Sequence, residues 1–166
     1  PAYIHEKSVL LFEHLNIFTE RELIARYQVD LEEYVMKTQI EARTLGDISR
    51  NHVIPTGIRY QNTLIENVRG LKEIYGEAFE KHAKEQMVII ERISQHIAAI
   101  NRGVNAMISA RKKANQLSDA HQKAMAYCKE VFPFFEEIRY QCDKLELIVD
   151  ASLWPMAKYR QLLFMQ

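Results

Sequence analysis

Apolar residues recur at steps of three and four along most of the chain, the period of a helix with one buried face. Phe79, Ala83, Met87, Ile90, Ile93, Ile97, Ile100, Val104 and Ile108 form the clearest run and predict a helix from about residue 80 to 116. Upstream, HEKSVLLFEHL at 5–15 predicts a short amphipathic helix, and Asn16 to Phe18 breaks its pattern. Thr19 followed by Glu22 is a capping-box signature, so a long helix starts there. Its apolar positions include Ile24, Tyr27, Leu31, Tyr34, Val35, Leu45 and Ile48, then Ile58, Ile65, Val68, Leu71 and Tyr75. Gly76 is placed to end it in the left-handed C′ conformation. Leu117-Ser118-Asp119 supplies a turn and an N-cap for a last long helix, with Ala124, Tyr127, Val131, Phe135, Ile138, Cys142, Leu145 and Val149 on one face. Short connections make sequential helices antiparallel. The expected fold is all-α: an antiparallel bundle of three long helices plus a short N-terminal helix. Residues 1–166 form a single domain in this reading, with the aromatic tail at 151–166 docking on the bundle.

Two prolines disturb the pattern. Pro55 lies in the middle of the first long helix and Pro133 in the third. A proline inside a helix removes one hydrogen bond and presses on the carbonyl four residues back, at about 3 kcal/mol. The first helix therefore either ends at Pro55 or bends there. Counting ~1.5 Å per residue up, down and up again puts both prolines at one height, which favours two helices bending together around the second. The same count leaves residues 20–40 overhanging, with the 5–15 helix folded back along them. The tail then sits at the far end, near Gly76.

Composition narrows the function. Twenty-two basic and 22 acidic residues cancel, so no charge excess points to nucleic acid or an anionic membrane. No run of about 18 apolar residues and no leader appears, which favours a cytoplasmic protein. The chain begins at Pro1 rather than methionine, as a piece of something longer would. Cys128 and Cys142 lie about four helical turns apart, ~21 Å, too far for a disulfide. Cys128 reads as a buried structural cysteine.

A search for chemistry finds none. No histidine among 5, 14, 52, 82, 96 and 121 has a glutamate three residues before it, so the Glu-x-x-His pairs of di-metal bundles are missing. His82 and His96 read as boundary residues. The five isolated glycines make no phosphate loop. The basic triplet at 111–113 suits a solvated helix C-terminus. Catalytic, cofactor-binding and metal-binding residues are all expected to be absent here. The structural positions to watch are Thr19, Glu22, Pro55, Gly76 and Pro133, with Trp154, Tyr159, Leu163 and Phe164 as a candidate interaction tail.

Three ordered blocks carry a resemblance: ELIARYQVDLEEYVMKTQIEARTLGDISRNHVIP, IRYQNTLIENVRGLKEI and IRYQCDKLELIVDASLWPMAKYRQLLF. They resemble the C-terminal helical region of the bacterial long-chain glutamine synthetases, type III, over about Tyr3 to Phe164. The tail departs from that pattern at Ala157, where a second proline is expected, and Thr56-Gly57 replaces an alanine-rich step. The resemblance implies a parent ATP-dependent ligase that makes glutamine from glutamate and ammonia, with Mg or Mn and ATP bound outside this segment. It further implies that this region serves structure and assembly. Its partners would be the catalytic domain of the same chain and the other subunits of a homo-dodecamer, with no nucleic acid and no membrane. The alternatives are a free-standing helical adaptor docking through its aromatic tail, and a metal- or haem-binding bundle.

Overall fold

The computed structural model describes residues 2–164, apart from the side chains of Tyr3, Tyr159 and Arg160. Those residues contain helices and no strand. The α-helices are α1 (Glu6–His14), α2 (Glu20–Ile48), α3 (Ile54–Tyr75), α4 (Phe79–Asn115), α5 (Ala120–Ala126), α6 (Pro133–Ile148) and α7 (Tyr159–Leu163). Five-residue π-turns, Ser49–Val53 and Tyr127–Val131, join α2 to α3 and lead from α5 toward α6. The three long rods of the expected bundle are therefore α2–α3, α4 and α5–α6.

Local chemistry sets the ends. Asn16, at φ 54°, closes α1 with a Schellman pair, Ile17 N–H to Phe12 O and Asn16 N–H to Glu13 O. Thr19 and Glu22 form the capping box: Thr19 N–H donates to Glu22 Oε2 at 2.8 Å, and Glu22 N–H to Thr19 Oγ1 at 3.4 Å. Asp119 caps α5 through Gln122 N–H at 2.7 Å. Gly76 has positive φ, but its ψ of −128° differs from the left-handed helical value. Only a residue without a Cβ adopts that conformation cheaply, and it turns the chain from α3 into α4.

The helices do not end at the prolines, and the π-turns show how they pass them. Ile54 N–H donates to Ser49 O, and Phe132 N–H donates to Tyr127 O at 2.9 Å, each reaching five residues back. In both cases the donor is the residue just before proline. One extra residue in the turn moves the carbonyl that the pyrrolidine ring would strike, so the helix continues.

The single-height idea fails. Ser49 Oγ lies 3.7 Å from Cys142 Sγ. Pro55 is six residues above Ser49 and Pro133 nine below Cys142, so the prolines are about 22 Å apart along the bundle at 1.5 Å per residue. The count went wrong at the α4–α5 connection. Residues 116–119 carry the chain further down, until His121 Nδ1 meets Tyr27 OH at 2.7 Å. The α2 overhang is thus shared with α5. Ala2–Ile4 also pack on α2, while α1 buries no residue of its own and leaves Leu10 and Leu11 exposed.

The core runs through the middle. Ile93, Ile100, Val104 and Met107 of α4 meet Val53, Tyr127, Val131, Ile138 and Leu145. The face of α2–α3 is only partly the expected one: Val35, Leu45 and Ile48 pack half-buried on the core. Ile24, Tyr34, Ile58 and Tyr75 are instead exposed, and besides Leu23 the buried stripe is Thr38, Ala42, Gly46, Ser49, Val53, Thr56 and Gly57. These small residues recur at helical spacing and let α4 and α6 approach closely. A Cβ on Gly57 would lie 3.0 Å from Leu145 Cδ2, and one on Gly103 only 2.9 Å from Ile138 Cγ1. Polar clasps fix the register, Gln61 Nε2 to Ser94 Oγ at 2.6 Å and Arg50 Nη2 to Asn105 Oδ1 at 2.6 Å among them. Among the described residues no helix is long and apolar enough to cross a membrane.

Candidate interaction surface

The residues that could carry chemistry are placed for structure. No group of three His, Cys, Asp or Glu side chains comes close enough to hold a metal among the described residues. His96 Nδ1 pairs with Gln141 Oε1 at 2.8 Å between α4 and α6. His82 stacks on Tyr75 at the α3–α4 hairpin, with ring centres 3.9 Å apart. Cys142 is half-buried, and burial pushes its thiol pKa up, away from the thiolate that a nucleophile needs. Cys128 is exposed rather than buried. Tyr127 and Val131 take the two inward positions of the π-turn, which leaves Cys128 on the solvent side.

The aromatic tail divides in two. Trp154 belongs to the core with Leu145 and Val149, while Leu163 and Phe164 are exposed. The Tyr159 side chain lies outside the described residues. Lys158 Nζ donates to Glu146 O at 3.1 Å and to Val149 O at 3.4 Å, satisfying carbonyls at the α6 terminus. The same amine sits 5.9 Å from the Trp154 ring centre, within cation–π range. The tail is therefore tied to the end of α6, beside the middle of α3. Gly76 is 19 residues beyond Gly57, which packs on Leu145, and the α6 end at Val149 is four residues beyond Leu145, so the tie made by Lys158 lies about 22 Å short of the expected end.

An apolar concave feature lies between α2 and α6. Helix α2 packs on the second π-turn and α6 on the first. Between these crossings the helices leave a trough of about 590 Å³ lined by Ile40, Leu45, Ile48, Phe132 and Phe135, with Glu41, Thr44, Glu136 and Arg139 at its margin. Phe132 and Phe135 pair with ring centres 5.3 Å apart. Ile40 and Phe132 remain 56% and 49% exposed, and exposed Met36 and Val29 continue the α2 stripe downward. Apolar surface of this kind is a candidate contact site.

Residues 1–72 match the model of the glutamine synthetase C-terminal domain. The chain is 43% identical over 159 residues, 95% of its length, to the glutamine synthetase of Bacteroides fragilis (strain YCH46). The chain belongs to the glutamine synthetase C-terminal domain family. A type-3 glutamine synthetase of Dictyostelium discoideum is 26% identical over 97% of the chain, and a glutamine synthetase of Butyrivibrio fibrisolvens 22% over 99%. The glutamine synthetase domain spans only 22–23% of the length of these relatives.

Of the residues singled out in the sequence, Thr19 and Glu22 act together in one cap, and Pro55 and Pro133 follow separate π-turns. The trough residues were not singled out. Leu45, Ile48 and Phe135 were read as core, and the signal for the rest was present as large apolar residues lying off the main stripe, Ile40 on α2 and Phe132 before Pro133.

Proposed function

We propose that this domain is the structural and assembly module of an enzyme that makes glutamine from glutamate, ammonia and ATP. In that reaction the γ-carboxylate of glutamate takes the terminal phosphoryl group of ATP, and ammonia then displaces phosphate from the acyl phosphate. ATP and the divalent metals would be held by the remainder of the polypeptide. The partners are that remainder and the other subunits of a homo-oligomer, a dodecamer in this reading, in the cytoplasm. Residues 1–166 act as one unit, with the tail docked on the bundle.

One observation carries the reading: the chain matches glutamine synthetases along 95% of its own length yet accounts for about a fifth of theirs. The fold is consistent with a supporting part, because its polar groups are spent on helix clasps. Deleting residues 1–166 from the full-length enzyme tests it. Expected outcomes are a smaller assembly by light scattering and a loss of ATP-, ammonia- and glutamate-dependent glutamine formation. Unchanged assembly together with unchanged turnover would refute the proposal.

A further inference from the structure

We infer that the trough between the two π-turns is the seat of the rest of its own polypeptide: a segment outside these 166 residues inserts an apolar side chain between Ile40 and Phe132. This rests on the reading of the domain as one module of a longer enzyme.

The trough is a permanent feature of the backbone. Its lower limit is the π-turn that carries the chain past Pro133, and its upper limit is the one that carries it past Pro55. Shortening either gap would set a proline ring against a helix carbonyl. Among the described residues the tail contributes nothing to its lining, and Lys158 ties the tail to the α6 carbonyls of Glu146 and Val149.

Two arguments choose the occupant. Roughly four-fifths of each relative lies outside the matched stretch. A covalently attached segment samples this surface at millimolar effective concentration. The margin also disfavours a second copy. It carries two carboxylates, Glu41 and Glu136, against one guanidinium, Arg139, and a two-fold contact would place the same acidic margin against itself. The charge instead suits a segment with an apolar anchor and a basic flanking residue.

The test uses the full-length enzyme with the photoreactive substitution Phe132→p-benzoylphenylalanine, and the same probe at exposed Ile74 as a reference site. Irradiation is expected to give a cross-link at position 132 within one polypeptide mass, to a peptide outside these 166 residues. A product of twice the polypeptide mass, a cross-link confined to these 166 residues, or no cross-link overturns the inference. As a second arm, Ile40→Asp with Phe132→Asp changes two exposed side chains while leaving the core intact. Tryptic release of the domain from the full-length enzyme should then speed up at least tenfold, and an unchanged rate overturns the inference. Neither readout depends on glutamine formation, so a failed docking site and a failed functional assignment are told apart.

Discussion

The two proline sites use one device in different surroundings. Around Pro55 the turn exposes Asn51 and His52, but its inner side runs on into packing: Ser49, Val53, Thr56 and Gly57 are buried, and α4 and α6 close over them. Around Pro133 the turn is open on one side. Tyr127 and Val131 are buried, but Cys128, Phe132 and Pro133 face outward. Both solve the same backbone problem with one five-back hydrogen bond. They differ in what the extra residue does next. At the first site it keeps small residues in line for close packing, and at the second it presents an aromatic pair to the trough. Identical backbone chemistry can thus serve packing or display, depending on what the neighbouring helices cover.

Deleting a residue breaks this comparison most severely. Removing exposed Lys129 would return the second turn to ordinary helix and drive Pro133 against a carbonyl, at about 3 kcal/mol. Pro133→Ala added to that deletion should restore most of the loss in urea unfolding. Removing Asn51 at the first site should cost at least as much, and Pro55→Ala should rescue it only partly because buried Ser49 and Thr56 also shift. Equal rescue at the two sites would contradict the distinction.

Close packing gives the next effect. Gly103→Ala should destabilise by about 1–2 kcal/mol, since overpacking costs 1–3 kcal/mol and the helix-propensity gain returns up to about 1. The clash there involves Ile138 Cγ1, close to the backbone. Gly57→Ala should cost less, because it meets terminal methyl groups of Leu145 and Ile97. Thermal melts of the two variants rank them.

The polar locks differ more modestly. Tyr127 OH donates to Asn115 Oδ1 at 2.7 Å, so Tyr127→Phe should lose about 1 kcal/mol in denaturant titration. Ser49 has only a sulfur partner at 3.7 Å, and Ser49→Ala should stay within about 0.5 kcal/mol.

The smallest effect lies outside both turns. The backbone N–H and hydroxyl of Thr19 hold the Glu22 carboxyl below its ordinary pKa. Its stabilising contribution is full above the unfolded-state value, near 4.5, and is lost as pH falls through the lower folded-state value. Melting temperatures measured from pH 6 downward should fall less steeply in Glu22→Gln than in the parent, and a parallel decline would remove the cap's role.

The rods and their ends were legible in the residues. A three-four repeat of isoleucines defines α4 regardless of what it touches, and Thr19, Glu22 and Asp119 form their caps within a single turn. These are short-range matters, decided by side chains and amides three or four residues apart. The buried face of α2–α3 was harder to read. Large apolar residues were expected inward, and Val35, Leu45 and Ile48 do pack on the core. Thr38, Ala42, Gly46 and Thr56 nevertheless hold fully buried positions, because close approach to α4 and α6 leaves little space.

What the sequence alone determined is an all-helical chain with these caps, this core stripe on α4, and a family likeness running nearly end to end. Only the tertiary structure decided the heights of the prolines, the outward turn of Cys128 and Phe132, and the trough between α2 and α6. Those depend on how far the α4–α5 connection descends before the chain turns. Each residue there moves a whole helix by a fraction of a turn, so a local pattern cannot carry the answer.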